Sequence, residues 1–226
     1  MWQEGFSNFV SGVQHDSCPL DVREALSRLD TQNVYRYLKE AGIEESMVLS
    51  TCNRFEIYGA GPDGTQSAQF LPYGLARLSG VDPDVLRRHT YFKGDGEMVK
   101  HGFGVAASIH SMVLGEPQIL GQIKTAWQTS KQEGHSGPFM ERFAGAALRV
   151  GKRVRHETPI ASEAVSVASV AVRLAADIYG DLKNVRVLLI GVGDMTISAA
   201  NHLNAKGVKE IILTNRHHDR AQHVAP

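Results

Sequence analysis

Val185-Arg186-Val187-Leu188-Leu189-Ile190-Gly191-Val192-Gly193-Asp194-Met195-Thr196 decides the fold of the C-terminal part of the chain. A run of strand-forming residues, read as a buried strand, enters a glycine-spaced turn, and a helical segment follows over 195–205. Gly191 permits the tight turn, while Gly193 lets backbone amides approach a pyrophosphate at the positive end of the helix. Thr196 stands where the usual fingerprint has its third glycine, so a glycine-rich turn without ligand is the competing reading. Gly207 then caps the helix, and 210–214 forms a second strand. Strand, helix and parallel strand make a Rossmann-like βαβ unit. NAD sites usually end the second strand with an acid for the ribose hydroxyls. Here that strand ends Thr214-Asn215-Arg216, with Arg220 following, and a cation suits a 2′-phosphate, hence NADP. The candidate cofactor residues are Gly191, Val192, Gly193, Asp194, Met195, Thr196, Asn215 and Arg216.

Upstream the pattern is mixed α+β. Residues 21–29 and 34–40 read as helices, and 47–50 and 55–58 as short β-prone runs with Thr51-Cys52-Asn53-Arg54 between them. Cys52 is therefore expected at a strand end or in a turn. Residues 61–64 read as a loop and 68–78 as a helix. A proline suited to the first helical position opens a helix at Gly115-Glu116-Pro117-Gln118, which runs to Gly134 with Ile119, Leu120, Ile123 and Trp127 on one face. Another spans 139–156, with Phe139, Phe143, Ala146, Val150 and Val154 as its stripe, and stops at Thr158-Pro159. The segment 164–179 reads as a closely packed helix of small residues. The boundary falls near Thr158, giving an N-terminal domain over 1–157 and a nucleotide-binding unit with its linker helix over 158–226.

Composition narrows the class without naming a function. Over 226 residues, 42% hydrophobic and 21% charged residues place the chain among globular proteins rather than disordered or fibrous ones. Lys+Arg and Asp+Glu balance at 24 each, so a nucleic-acid partner would have to use a local patch. One such patch is the helix end carrying Arg149, Lys152, Arg153, Arg155 and His156, where dipole complementation and phosphate contact are both open readings. No apolar run reaches the roughly 18 residues a membrane span needs. The N-terminus lacks the features of a signal peptide, and two cysteines, Cys18 and Cys52, suggest free thiols in a reducing compartment, by default the cytoplasm.

Cys52 lies between small polar residues and the guanidinium of Arg54. A nearby cation favours thiolate, the nucleophilic form. A single free cysteine beside a strand is nonetheless more often a small buried hydrophobe. Cys18, in a Ser-Cys-Pro turn, reads as structural. His101 reads by default as a surface or capping histidine, and Glu116 and Gln118 as helix-start residues. The alternative is that this helix start receives an anionic or polar substrate group.

Four blocks then resemble glutamyl-tRNA reductase in order and spacing: residues 50–58 (Ser-Thr-Cys-Asn-Arg-Phe-Glu-Ile-Tyr), 111–122 (Ser-Met-Val-Leu-Gly-Glu-Pro-Gln-Ile-Leu-Gly-Gln), 151–155 (Gly-Lys-Arg-Val-Arg) and 191–195 (Gly-Val-Gly-Asp-Met). The resemblance covers nearly the whole chain. It implies an NADPH-dependent enzyme that reduces glutamyl-tRNA(Glu) to glutamate-1-semialdehyde through a cysteine thioester, at the start of tetrapyrrole synthesis. It implies Cys52 as nucleophile and His101 as a residue important for activity near the acyl group. Thr51, Asn53, Arg54, Ser111, Glu116, Pro117, Gln118 and Gln122 would recognise the glutamyl moiety, with no metal. Arg54 would pair with a substrate carboxylate as well as tune the thiol. The family is a homodimer and implies glutamate-1-semialdehyde aminomutase as a downstream partner.

The sequence departs from the family at His15-Asp16-Ser17-Cys18-Pro19, where alanine usually precedes the proline, and at His110, where aspartate is common. It also ends at Pro226, inside the nucleotide domain and before the family's dimerisation region. The expectation is a truncated βαβ unit, with substrate binding and acyl transfer to Cys52 retained and reduction inefficient. Two other classes compete: a non-catalytic aminoacyl-tRNA-binding module, and a different NADP-dependent oxidoreductase acting on a small metabolite.

Overall fold

The structure, a computed structural model, describes residues 6–161 and 167–217, with 219 and 222. Two compact units divide the chain, Met1–Ser162 and Glu163–Pro226.

The first unit is built on an antiparallel sheet of four strands, β1 (Phe6–Gln14), β2 (Glu45–Ser50), β3 (Arg54–Pro62) and β4 (Tyr91–Gly94), in the order β2-β3-β1-β4. The long central pair β1 and β3 runs in register from Phe6 opposite Pro62 to Gln14 opposite Arg54. Because side chains alternate across a strand, β1, β2 and β3 each feed two cores. Phe9, Val13, Phe55 and Ile57 face one layer, formed by α1 (Leu20–Ser27), α2 (Thr31–Glu40), α3 (Gly64–Ala68), α4 (Leu71–Ser79) and α5 (Pro83–His89). Val10, Met47, Leu49 and Tyr58 face the other, formed by α6 (Asp95–Ala106), α7 (Gln118–Gln132) and α8 (Pro138–Glu157). β3 is therefore covered on both faces. Its second face carries Arg54, Glu56 and Tyr58 in alternation, and that places charge inside the protein.

The helix expected over 68–78 is α4, which starts at Leu71, and the expected loop at 61–64 is instead the end of β3 and the start of the short helix α3. Pro117 is the N-cap of α7 rather than its first residue. On α8 the buried stripe is Met140, Phe143, Ala144, Ala147 and Gly151, not the row through Ala146, Val150 and Val154. The small residues let α8 approach closely, with the Cα of Gly151 against the backbone of Ala106. β1, α5, β4 and α6 were not anticipated, and α6 carries His101.

The second unit holds α9 (Val167–Tyr179), β5 (Arg186–Ile190), α10 (Asp194–Ala205) and β6 (Glu210–Thr214). β5 and β6 pair in parallel from Arg186 opposite Glu210 to Ile190 opposite Thr214, a Rossmann-like βαβ unit. Val172, Leu182, Leu203 and Val208 form its core, with Val187, Leu189 and Ile211 packed against them. β5 is not buried on both faces as its composition suggested. Leu188 and Ile190 are exposed, Ile190 by 79%, because the described helices cover one side of the strand pair only. Gly207, at φ +82°, follows the helix cap Lys206.

Candidate active site

Cys52 is exposed, in the turn between β2 and β3. Thr51 shapes that turn. Its Oγ1 accepts from the backbone amides of Asn53 and Arg54, both at 3.1 Å, and its own amide donates to the Arg54 carbonyl at 2.9 Å. A hydroxyl spent on two amides holds the residue beside it in one conformation. A second tether comes from α1. Arg23 Nη1 donates to the Cys52 carbonyl at 2.6 Å, while its Nε donates to the Cys18 carbonyl at 3.2 Å. Arg23 was not among the expected site residues, although the Asp21–Leu29 helix reading placed it on an element. Cys18 is buried, and burial pushes its thiol pKa up, in keeping with a structural role.

The Arg54 guanidinium is bonded inside the protein. It is 2% exposed and points into the second core. There Nη1 donates to Glu56 Oε1 at 2.6 Å, and Nη2 donates to the His110 carbonyl. Glu56, which the sequence reading had not singled out, is the hub. The Tyr58 hydroxyl donates to Oε2 at 2.6 Å, the Tyr91 hydroxyl donates to Oε1, and His101 Nε2 lies 3.0 Å from Oε1. Gly12 sits directly opposite Glu56 in the sheet, where a Cβ would collide with the Phe55 carbonyl and the Glu56 backbone.

Full burial raises the Glu56 pKa, but the His101 hydrogen bond and the Arg54 charge outweigh it, followed by His101's charge and the Tyr58 hydroxyl, and hold the carboxyl at about 2. The ionised carboxylate accepts only, so His101 Nε2 carries the proton in that contact. Tyr58 and Tyr91 are pushed up, by burial first and then by the Glu56 charge. His101 is 6% exposed within α6, not a surface or capping residue.

The loop after α6 brings the 111–122 block up to this network. Ser108, at φ +60°, donates its hydroxyl to the Glu116 carbonyl at 2.8 Å. Arg155 Nη1 donates to the carbonyls of Gly115 and Glu116 at 2.9 and 3.2 Å. The basic cluster on α8 is thus divided. Arg155 braces this loop, Arg153 pairs with Glu157 at 3.0 Å, and Arg149, Lys152 and His156 are exposed. Ser111 keeps a buried hydroxyl without a hydrogen-bond partner. Glu116 and Gln122 are half-buried, and Pro117 and Gln118 exposed, around the start of α7. The structure therefore joins Arg54 and His101 in one network, places Ser111 next to its His110 edge, and carries Gln118 and Gln122 on a separate helix.

In the second unit Gly191, at φ +96°, donates its amide to the Thr214 carbonyl at 2.7 Å, closing the turn onto β6. Gly193 is the extended N-cap of α10 and offers no side chain to its first amides. Val192 and Thr196 are half-buried and Met195 is exposed; Asp194 starts the helix. Asn215 Nδ2 donates to the His217 carbonyl at 3.1 Å, and Arg216 is exposed two residues after β6 ends. Arg220 lies outside the described residues, as do 164–166 at the start of the expected linker helix.

An exposed thiol on a pinned turn and a buried His–carboxylate–Arg network share an α+β unit, followed along the chain by a Rossmann-like βαβ unit. That combination defines a two-unit protein of mixed α+β and α/β class. Comparison with known proteins names the family. Residues 11–158 match the family model described as "Glutamyl-tRNAGlu reductase, N-terminal domain", and residues 173–226 match that of "Shikimate / quinate 5-dehydrogenase". A glutamyl-tRNA reductase of Magnetococcus marinus is 44% identical over 219 residues, covering 96% of this chain and 52% of the relative. That of Aquifex aeolicus is 44% identical over 216 residues, covering 94% and 52%. The solved glutamyl-tRNA reductase from Methanopyrus kandleri superposes with a TM-score of 0.63 at 30% identity, over 99% of this chain and 52% of that one. The chain belongs to the glutamyl-tRNA reductase family. It spans about half the length of the curated relatives it matches.

Proposed function

We propose that this chain carries the glutamyl-transfer site, and the first part of the cofactor site, of NADPH-dependent reduction of glutamyl-tRNA(Glu) to glutamate-1-semialdehyde, the step that opens tetrapyrrole biosynthesis. Residues 1–157 act as the catalytic domain and 158–226 as linker helix and nucleotide-binding unit. The observation that carries the reading is the placement of Cys52, exposed on a turn that Thr51 and Arg23 fix from two sides.

Cys52 Sγ, as thiolate, attacks the aminoacyl ester carbonyl. The carbon–sulfur bond forms, the ester carbon–oxygen bond breaks, and the tRNA leaves as its free hydroxyl after taking up a proton. Glu56 holds the Nε2 proton of His101, so the bare Nδ1 takes up the proton that the Cys52 thiol gives up on forming thiolate and passes it to the leaving oxygen. Ser111, whose buried hydroxyl has no protein partner, offers a hydrogen bond to the glutamyl group. Asn53, Glu116, Pro117, Gln118 and Gln122 shape the rest of its seat.

The uncapped amides of the α10 N-terminus suit a pyrophosphate, and Arg216 suits a 2′-phosphate. These groups would hold NADPH, and the chemistry it would supply is hydride to reduce the thioester.

The direct test incubates the chain with glutamyl-tRNA labelled in its glutamate, with and without NADPH, and follows label on the Cys52 peptide and released aldehyde. The expected result without NADPH is covalent label on Cys52 and free tRNA. Labelled glutamate that stays on a bound tRNA would replace this reading with a non-catalytic aminoacyl-tRNA-binding module.

Arg23 makes a narrower prediction. A charged hydrogen bond to the nucleophile's own carbonyl restrains the turn, so Arg23→Gln is expected to slow tRNA release about tenfold with little change in KM. Arg23→Lys, which reaches one carbonyl but not two, should recover part of the rate. Steady-state release of labelled tRNA checks both, and an unchanged rate in Arg23→Gln would remove the tether from the mechanism.

A further inference from the structure

We propose that His110 is a positioning residue for the buried network: its ring, stacked on that of His101, holds His101 against Glu56 and closes the network's outer side, provided the His110 ring is uncharged. The two imidazoles lie 5.3 Å apart between centroids and 12° from parallel, and among the described residues no other histidine pair stacks in this way. His110 is fixed at both ends. Its carbonyl accepts from Arg54 Nη2, and its ring rests on Gly104, where a Cβ would meet Nε2 at 2.5 Å. The turn before it is set by Ser108 at φ +60° and by the Ile109 amide, which donates to the Gly104 carbonyl at 2.9 Å. Residue 110 itself is at the surface while His101 beneath it is buried, so the stack is where the network meets solvent. Ser111 follows directly, and any opening of the stack displaces its unpartnered hydroxyl as well.

The groups facing the His110 ring are His101 from α6, Arg54 and Glu56 from β3, and Lys93 from β4. Burial first, then His101, Arg54 and Lys93, push the His110 pKa below its ordinary 6.5, against a smaller opposite pull from Glu56. A depressed histidine pKa means that the unfolded chain binds a proton the folded ring resists. The ring's contribution to stability is therefore fully present above pH 6.5 and is lost as pH falls through its lowered pKa, where the folded ring takes up the proton. Protonation puts a second cation beside Arg54 and drives the rings apart.

The inference about His101's position stands on geometry; its effect on rate rests on the proposed glutamyl transfer. The test labels histidine rings with ¹³C in this chain and compares wild type, His110→Phe and His110→Ala. In wild type, the His101 ring signals should move as pH falls below 6.5. His110→Phe keeps an aromatic face without charge, so it should hold the His101 signals near their pH 7 positions and abolish the acid response. His110→Ala should displace the His101 signals already at pH 7. In the tRNA-release assay, His110→Ala should lower kcat by about three- to tenfold at unchanged KM, the range an aromatic pair accounts for. His110→Phe should restore that rate and flatten the acid limb of the pH profile. His101 signals indifferent to both substitutions would overturn the proposal. Signals that follow His110 as stated, in a chain that releases no tRNA, uphold the positioning and overturn the catalytic reading alone.

Discussion

Glu56→Gln is expected to destabilise the N-terminal unit by about 3–5 kcal/mol at pH 7, the usual cost of removing one partner from a buried ion pair. Four donors converge on this carboxylate, from Arg54, Tyr58, Tyr91 and His101, and Arg54 is nearly as buried as Glu56 itself. An amide leaves the guanidinium without a counter-charge in a dry interior. It also brings two N–H donors to a place that already has a surplus of donors. The pH dependence has a definite sign. Because the folded-state pKa is held at about 2 against an ordinary 4.5, the charge-linked stability is fully present above pH 4.5 and is lost as pH falls through about 2. The size of that shift corresponds to roughly 3 kcal/mol, which meets the lower end of the mutational range. Urea unfolding of wild type and Glu56→Gln across pH 2–7 measures both. The two curves should lie far apart at neutral pH and converge towards pH 2. A loss under about 1 kcal/mol at pH 7 would mean that the carboxylate is not the buried hub of the site.

That hub shows why the sequence disclosed the fold more readily than the site. β6 lies at 210–214 as its composition indicated, and α7 and α8 follow from long amphipathic periods bounded by proline and glycine. Arg54, Glu56 and Tyr58 alternate with Phe55 and Ile57, the pattern of a strand with one face in water. Only the tertiary packing of α6, α7 and α8 turns that polar face inward, and nothing local encodes it. α6 was missed for a related reason. Gly96, Gly102 and Gly104 weaken its helix propensity, yet Gly102 accepts the Phe143 ring and Gly104 the His110 ring. The residues that make α6 hard to read are those that let His101 be buried. On α8, alanines and a glycine occupy the buried stripe, and a search for large apolar residues finds the neighbouring row instead. Cys52 was legible because a turn between two short β-prone runs is a local property. Its restraint by Arg23, from a helix some thirty residues earlier, was not.

Cys52→Ser is expected to abolish glutamyl transfer, lowering tRNA release by about a thousandfold or to the uncatalysed background, while leaving stability and glutamyl-tRNA affinity nearly unchanged. The substitution exchanges sulfur for oxygen on an exposed side chain. The turn that carries it is held through backbone groups, by Thr51 at the amides of residues 53 and 54 and by Arg23 at the carbonyl of residue 52, and those bonds do not depend on the thiol. A loss of rate therefore reports chemistry rather than unfolding. Serine does not substitute for the nucleophile, because an alcohol needs an adjacent base to become reactive, whereas a thiol is partly ionised near neutral pH. Binding measured by filter retention of labelled glutamyl-tRNA should agree between wild type and variant within about twofold, since one atom of the seat has changed. If release persists in Cys52→Ser at the wild-type rate, the thioester is not on the path, and the exposed turn with its two tethers belongs to a surface that grips charged tRNA without reacting with it.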